Sequence, residues 1–166
     1  MSHNQSASLL LLLLAAGCAT PRDTMPRQAG RFPPNALITQ RAILTARGRQ
    51  FPLNGYLSVS ESGGMRLLVT ENFGNVMADV LVKRDGMVRV MRSSPALRTE
   101  WIERYVVADL ECVLGQAPEG GCPGTMLSPT HFVIKRFWYA LDLEIVEVKA
   151  GPQPAAMFDE TMKATP

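Results

Sequence analysis

From Ala36 to Arg92 the apolar side chains recur with a period of two. A chain patterned this way has to pair its strands edge to edge and bury one face. Leu37–Arg47 (LITQRAILTAR) and Phe51–Ser60 (FPLNGYLSVS) are rich in branched and aromatic residues, and the turn formers Gly48 and Ser62-Gly63-Gly64 follow them. Met65–Glu71 predicts a third strand, and Asn72-Phe73-Gly74-Asn75 a turn. Val76, Ala78, Val80 and Val82 then alternate with Met77, Asp79, Leu81 and Lys83. Asp85-Gly86 is a hairpin signal, and Met87–Arg92 alternates again. Five strands joined by short turns predict an antiparallel meander with one apolar and one mixed face.

The period then changes. After Pro95, residues 97–114 place Trp101, Tyr105, Ala108 and Cys112 on one stripe, widened by Ile102, Val106, Leu110 and Val113. Glu100, Glu103, Arg104 and Glu111 take the other face, and Gly115 stands where a helix ends. Phe132–Ala140 and Leu141–Val148 predict two more strands, or one long bent one. Seven strand candidates and one helix imply a mainly β or α+β fold. The expected form is a curved antiparallel sheet, or an open, unclosed β-barrel, with the helix across its mouth.

The N-terminal region belongs to a different regime. The run Leu9–Leu14 is too short to span a bilayer, which needs about 20 apolar residues, and it leads through Ala15-Ala16-Gly17 into Cys18. This resembles the lipobox of bacterial lipoproteins. The resemblance implies that residues 1–17 are a signal peptide and that the Cys18 thiol carries diacylglycerol, so acyl chains anchor the mature chain to a membrane. Ala19, rather than Asp, follows the cysteine; by the sorting rule of enteric bacteria this implies an outer-membrane lipoprotein of the cell envelope, facing the periplasm. Residues 18–35, with Pro21, Pro26, Pro33 and Pro34, have the composition of a flexible tether with a reach of roughly 20–25 Å. Residues 36–149 form the folded domain, and residues 150–166 an irregular C-terminal tail.

A net charge of +2 gives no reason to expect a nucleic-acid partner. With Cys18 acylated, Cys112 and Cys122 remain, an even number suited to an oxidising compartment. The intervening VLGQAPEGG is rich in turn formers, so the two are expected either to form a disulfide or to remain as unpaired thiols. A metal site is not expected, because only His131 could join them, and no cofactor motif is present. Ser128, His131 and Asp109 contain the residue types of a hydrolytic triad but lack a Gly-x-Ser-x-Gly turn, and the carboxylate pairs Glu100/Glu103, Asp142/Glu144 and Asp159/Glu160 fall on solvated faces or in the tail. The expectation is therefore a non-enzyme.

Arg66–Val90, RLLVTENFGNVMADVLVKRDGMVRV, resembles the central hairpin of the LolB family, outer-membrane receptors for lipoproteins. That family has a strand, then a short turn bearing a large apolar residue before glycine, then two alternating strands. Thr70-Glu71-Asn72-Phe73-Gly74 corresponds to the turn, with Asn72 where the family has proline, and Tyr105–Leu110 is similar to a helix of related lipoprotein domains. The resemblance implies an unclosed barrel whose apolar cavity binds or transfers a lipid or a lipoprotein's acyl chain. It also implies a membrane-contact loop at Phe73, which Arg66, Lys83 and Arg84 would assist if they reach the headgroups. The competing expectation is a structural or scaffolding envelope lipoprotein without a ligand cavity.

Overall fold

The computed structural model describes residues 31–116 and 121–159, together with the backbone of Thr24–Met25. The strands are β1 Ala36–Ala46, β2 Arg49–Val59, β3 Met65–Glu71, β4 Val76–Val82, β5 Val88–Ser93, β6 Cys122–Ser128, β7 His131–Lys135 and β8 Tyr139–Ala150. One helix, α1, covers residues 99–114 between β5 and β6. The strands form one antiparallel sheet in the order β6-β7-β8-β1-β2-β3-β4-β5, and Thr24–Met25 adds a two-residue pairing along β6 at Cys122 and Pro123. β5 and β6 do not pair with each other, so the sheet stays open. The expected mainly β, unclosed architecture with one helix is the one observed.

β1 to β5 lie where the alternation placed them, each within two residues. The second half needs correction. Cys122–Ser128 is an eighth strand in a stretch where the sequence pattern placed none, and the final region divides at Arg136-Phe137-Trp138 rather than after Ala140. β6 pairs closely with β7 only because residue 124 is glycine: a Cβ there would lie 2.2 Å from the Val133 carbonyl oxygen. A glycine that lowers strand propensity locally is what tertiary pairing requires.

The inner face of the sheet is the core. Ile38, Leu57, Leu67 and Val80 stand side by side on β1 to β4, and Phe132, Ile134 and Leu143 continue the layer on β7 and β8. Each large side chain fully buried there contributes roughly 1.5–3 kcal/mol. α1 closes this layer with Ile102, Val107, Leu110 and Val113. Its middle, Ile102–Val106, is π-helical, and the Val107 N–H reaches back to the Ile102 carbonyl. The wider turn rotates everything after it relative to a uniform helix. As a result Val107 is buried, although uniform spacing would set it between Glu103 and Glu111; Trp101 and Tyr105 are half-buried and Asp109 is buried. Gly115, at φ 77°, ends the helix, with the Gly115 and Gln116 N–H groups bonded to the Cys112 and Glu111 carbonyls.

The outer face is covered in part by the C-terminal segment. Ala155–Phe158 forms a 3-10 turn, where the Met157 carbonyl accepts from Arg66 Nη1 at 3.0 Å and the Met157 sulfur accepts from Ser58 Oγ at 3.7 Å. This cover explains why Asp79 and Leu81 on the outer side of β4 are buried as well as Ala78, Val80 and Val82 on the inner side. On the upstream side, Arg31 Nη1 donates to the Val113 carbonyl at 2.8 Å with its guanidinium over the Phe132 ring, and Phe32 packs on the core.

Candidate functional site

The β3–β4 turn presents one large apolar side chain, Phe73, to solvent. The Gly74 N–H donates to the Glu71 carbonyl at 2.9 Å, the Glu71 N–H to the Asn75 carbonyl at 2.9 Å, and Asn75 Nδ2 to Glu71 Oε2 at 3.3 Å. Gly74 adopts φ 82°, which a residue with Cβ adopts only with strain. These bonds hold Phe73 at the tip, 92% exposed, so it does not fold back on its hairpin.

The charges expected to assist Phe73 are elsewhere. Arg66 Nε and Nη2 bind both Asp79 carboxylate oxygens, at 2.9 and 2.7 Å, and this bond together with the Asp79 charge raises the Arg66 pKa against the opposing effect of burial. With Nη1 on Met157, Arg66 is a structural cation of the outer face. Lys83, Arg84 and Asp85 lie in the β4–β5 turn, at the far end of β4 from Phe73, beside an open depression of about 530 Å³.

The two cysteines form a disulfide, with Cα atoms 5.4 Å apart, and both are buried. It ties the C-terminal turn of α1 to the first residue of β6, so the helix bridges the open edges of the sheet covalently on one side. In the chain-entropy account a loop this short stabilises by about 2–3 kcal/mol.

A buried polar network lies one helical turn before the disulfide, at Asp109. Arg136 donates from Nε and Nη2 to Asp109 Oδ1 at 3.0 and 2.6 Å, and the Tyr139 hydroxyl donates to Asp109 Oδ2. Burial pushes the Asp109 carboxyl above the usual carboxylate range, opposed by the bonds from Tyr139 and Arg136 and by the Arg136 charge. Burial, the Asp109 charge and the hydrogen bond to it push the Tyr139 phenol well above its ordinary value. Burial by itself lowers the Arg136 pKa, but the bond and charge of Asp109 outweigh it. Tyr105 and Trp138 stack edge to face above the network, with ring centroids 5.1 Å apart. The alternation and helical stripe do not reveal this network. Its sequence signal is an aspartate between Ala108 and Leu110, seven residues after the buried Ile102 and so on the same helix face.

The residues resembling a triad do not assemble. Asp109 is held by Arg136 and Tyr139, His131 Nε2 meets Asp142 Oδ1 at 2.7 Å on the surface, and Ser128 Oγ is bonded to Thr130. Among the described residues no group of three His, Cys, Asp or Glu side chains could hold a metal ion. Cys18 and the signal segment lie outside the described residues, and no described helix is long and apolar enough to cross a membrane.

No protein-family model matches this chain, and no curated protein matches it.

Proposed function

We propose that this chain is a lipoprotein of the bacterial envelope, anchored through Cys18 to the outer membrane on its periplasmic side, that binds or transfers a lipid or acylated cargo between its unclosed sheet and α1. The observation that carries this reading is Phe73, a large apolar side chain fixed in solvent at the tip of a turn braced by its own hydrogen bonds. Entry of that ring into a membrane interface is worth up to about 1.5–3 kcal/mol. The gap between β5 and β6 supports the rest, because among the described residues α1 is the element that joins those strands, and an acyl chain would reach the inner face by displacing that helix.

One observation favours a second reading. Phe132, Ile134, Ile38, Leu57 and Ile102 already fill the inner face, as expected of a non-catalytic scaffold without a ligand cavity. Native mass spectrometry of the Cys18→Ser chain purified from a bacterial host separates the two. A co-purifying lipid of defined mass supports carriage, whereas a ligand-free mass supports the scaffold. Phe73→Glu tests the contact itself: folding stability should change by less than about 0.5 kcal/mol, as for an exposed site, while vesicle association falls.

A further inference from the structure

Phe73 is not the most exposed large apolar side chain. Phe137, in the turn between β7 and β8, is 105% exposed, and the register places both rings at the same end of the sheet. Glu71 pairs with Leu53, so the β3–β4 turn opens toward the start of β2. Ala46 pairs with both Arg49 and Tyr139, so the β1–β2 and β7–β8 turns open the same way. In the strand order, four strand spacings separate the Phe137 turn from the Phe73 turn, about 19 Å along the sheet. The β1–β2 turn lies midway between them.

That middle turn is cationic. Its two residues are Arg47 and Gly48, at φ 51° and 73°, and Arg49 follows. A two-residue turn with both φ positive normally takes Asn, Asp or Gly first. An arginine there occupies an unfavourable backbone conformation at the very tip, a departure that invites a functional explanation. Arg47, Arg49 and the nearby Lys135 are exposed and form no ion pair among the described residues. Phe51, 38% exposed, adds apolar surface to the same hairpin.

We infer that this end of the sheet is a two-point docking surface for an anionic lipid bilayer, with Phe73 and Phe137 entering the interface and Arg47 and Arg49 engaging acidic headgroups between them. The inference rests on the reading of Phe73 as a membrane contact and adds a second contact, an orientation and a lipid charge. A single inserted ring leaves a tethered domain free to swivel. Two rings on separate turns fix the sheet relative to the bilayer, and the arginines select negatively charged lipid because each cation near such a surface adds to binding.

The test uses the full, lipidated chain in phosphatidylethanolamine vesicles with or without phosphatidylglycerol. Phe73→Cys, Phe137→Cys and Leu127→Cys are each labelled with an environment-sensitive fluorophore. Leu127 is exposed near the opposite end of the sheet, on β6. With phosphatidylglycerol, labels at 73 and 137 should shift to the blue and be quenched by brominated lipid, and the label at 127 should not. The double variant Arg47→Glu, Arg49→Glu should lower the inserted fraction at both tips by about fivefold or more per charge. Insertion at 73 without insertion at 137 overturns this inference and leaves the Phe73 contact standing, whereas insertion at neither position overturns both. Equal insertion at both tips without phosphatidylglycerol, or in the double variant, overturns the anionic partner.

Discussion

The two halves of this sheet are held by different means. In the meander, β1 to β5, each strand pairs with the next through turns of two to five residues, so almost every interaction is local in sequence. In the other half, β8 pairs with β1 with Ala36 opposite Ala150, and α1 is fastened by a disulfide and by Asp109, whose partners lie 27 and 30 residues away. The contrast shows where strand pattern suffices and where long-range chemistry must supply the rest. An alternating hairpin needs little beyond its turn. An edge strand as poor in apolar residues as β6 needs a covalent link and a close backbone neighbour.

The largest effect that sharpens this contrast is expected from Arg136→Met. It leaves the buried Asp109 carboxylate with one hydrogen-bond donor and no countercharge, at a cost of about 3–5 kcal/mol in urea unfolding. Adding Asp109→Leu should recover most of that loss, because an apolar pair replaces the stranded charge. A cost below about 1 kcal/mol for the single variant would mean that the network does not hold the second half.

Two glycines carry the comparison further. Gly124→Ala forces a Cβ against the Val133 backbone and should cost about 3 kcal/mol, the upper range for overpacking, as a drop in melting temperature. Gly86→Ala in the β4–β5 turn meets nothing within 4 Å and pays only the backbone strain of φ 83°, roughly 1–2 kcal/mol. Equal losses would erase the distinction between local turn and long-range pairing.

Cys112→Ser with Cys122→Ser should lower stability by about 2–3 kcal/mol. In hydrogen exchange the loss of protection should concentrate in α1 and β6 and spare β2 and β3. Uniform loss across the sheet would show that the two halves unfold as one unit.

The smallest effect appears only at alkaline pH. Because the Tyr139 phenol titrates higher in the folded than in the unfolded chain, the stability it contributes is present below about pH 10 and is lost as pH rises above that. Denaturation midpoints measured across this range should fall more steeply for the parent than for Tyr139→Phe. Parallel slopes would place the phenol in solvent.

The amino-acid sequence alone determined the meander, the single helix and the mainly β class, because periods of two and 3.6 are written in neighbouring residues such as Val76 to Val82 and Ile102 to Val113. It also placed Phe73 in a turn and presented Cys112 and Cys122 as a possible pair, which the folded chain joins. Tertiary structure alone decided the rest. Cys122–Ser128 becomes a strand because β7 offers an edge and Gly124 permits the approach. Asp109 meets Arg136 and Tyr139 because the β7–β8 connection is brought against α1. Arg66 is engaged because the C-terminal segment and Asp79 enclose it. Phe137 joins Phe73 at one end of the molecule only through the strand order. Local pattern records which face each residue takes within its own element; which elements become neighbours is decided by pairings between distant parts of the chain, and no local period encodes them.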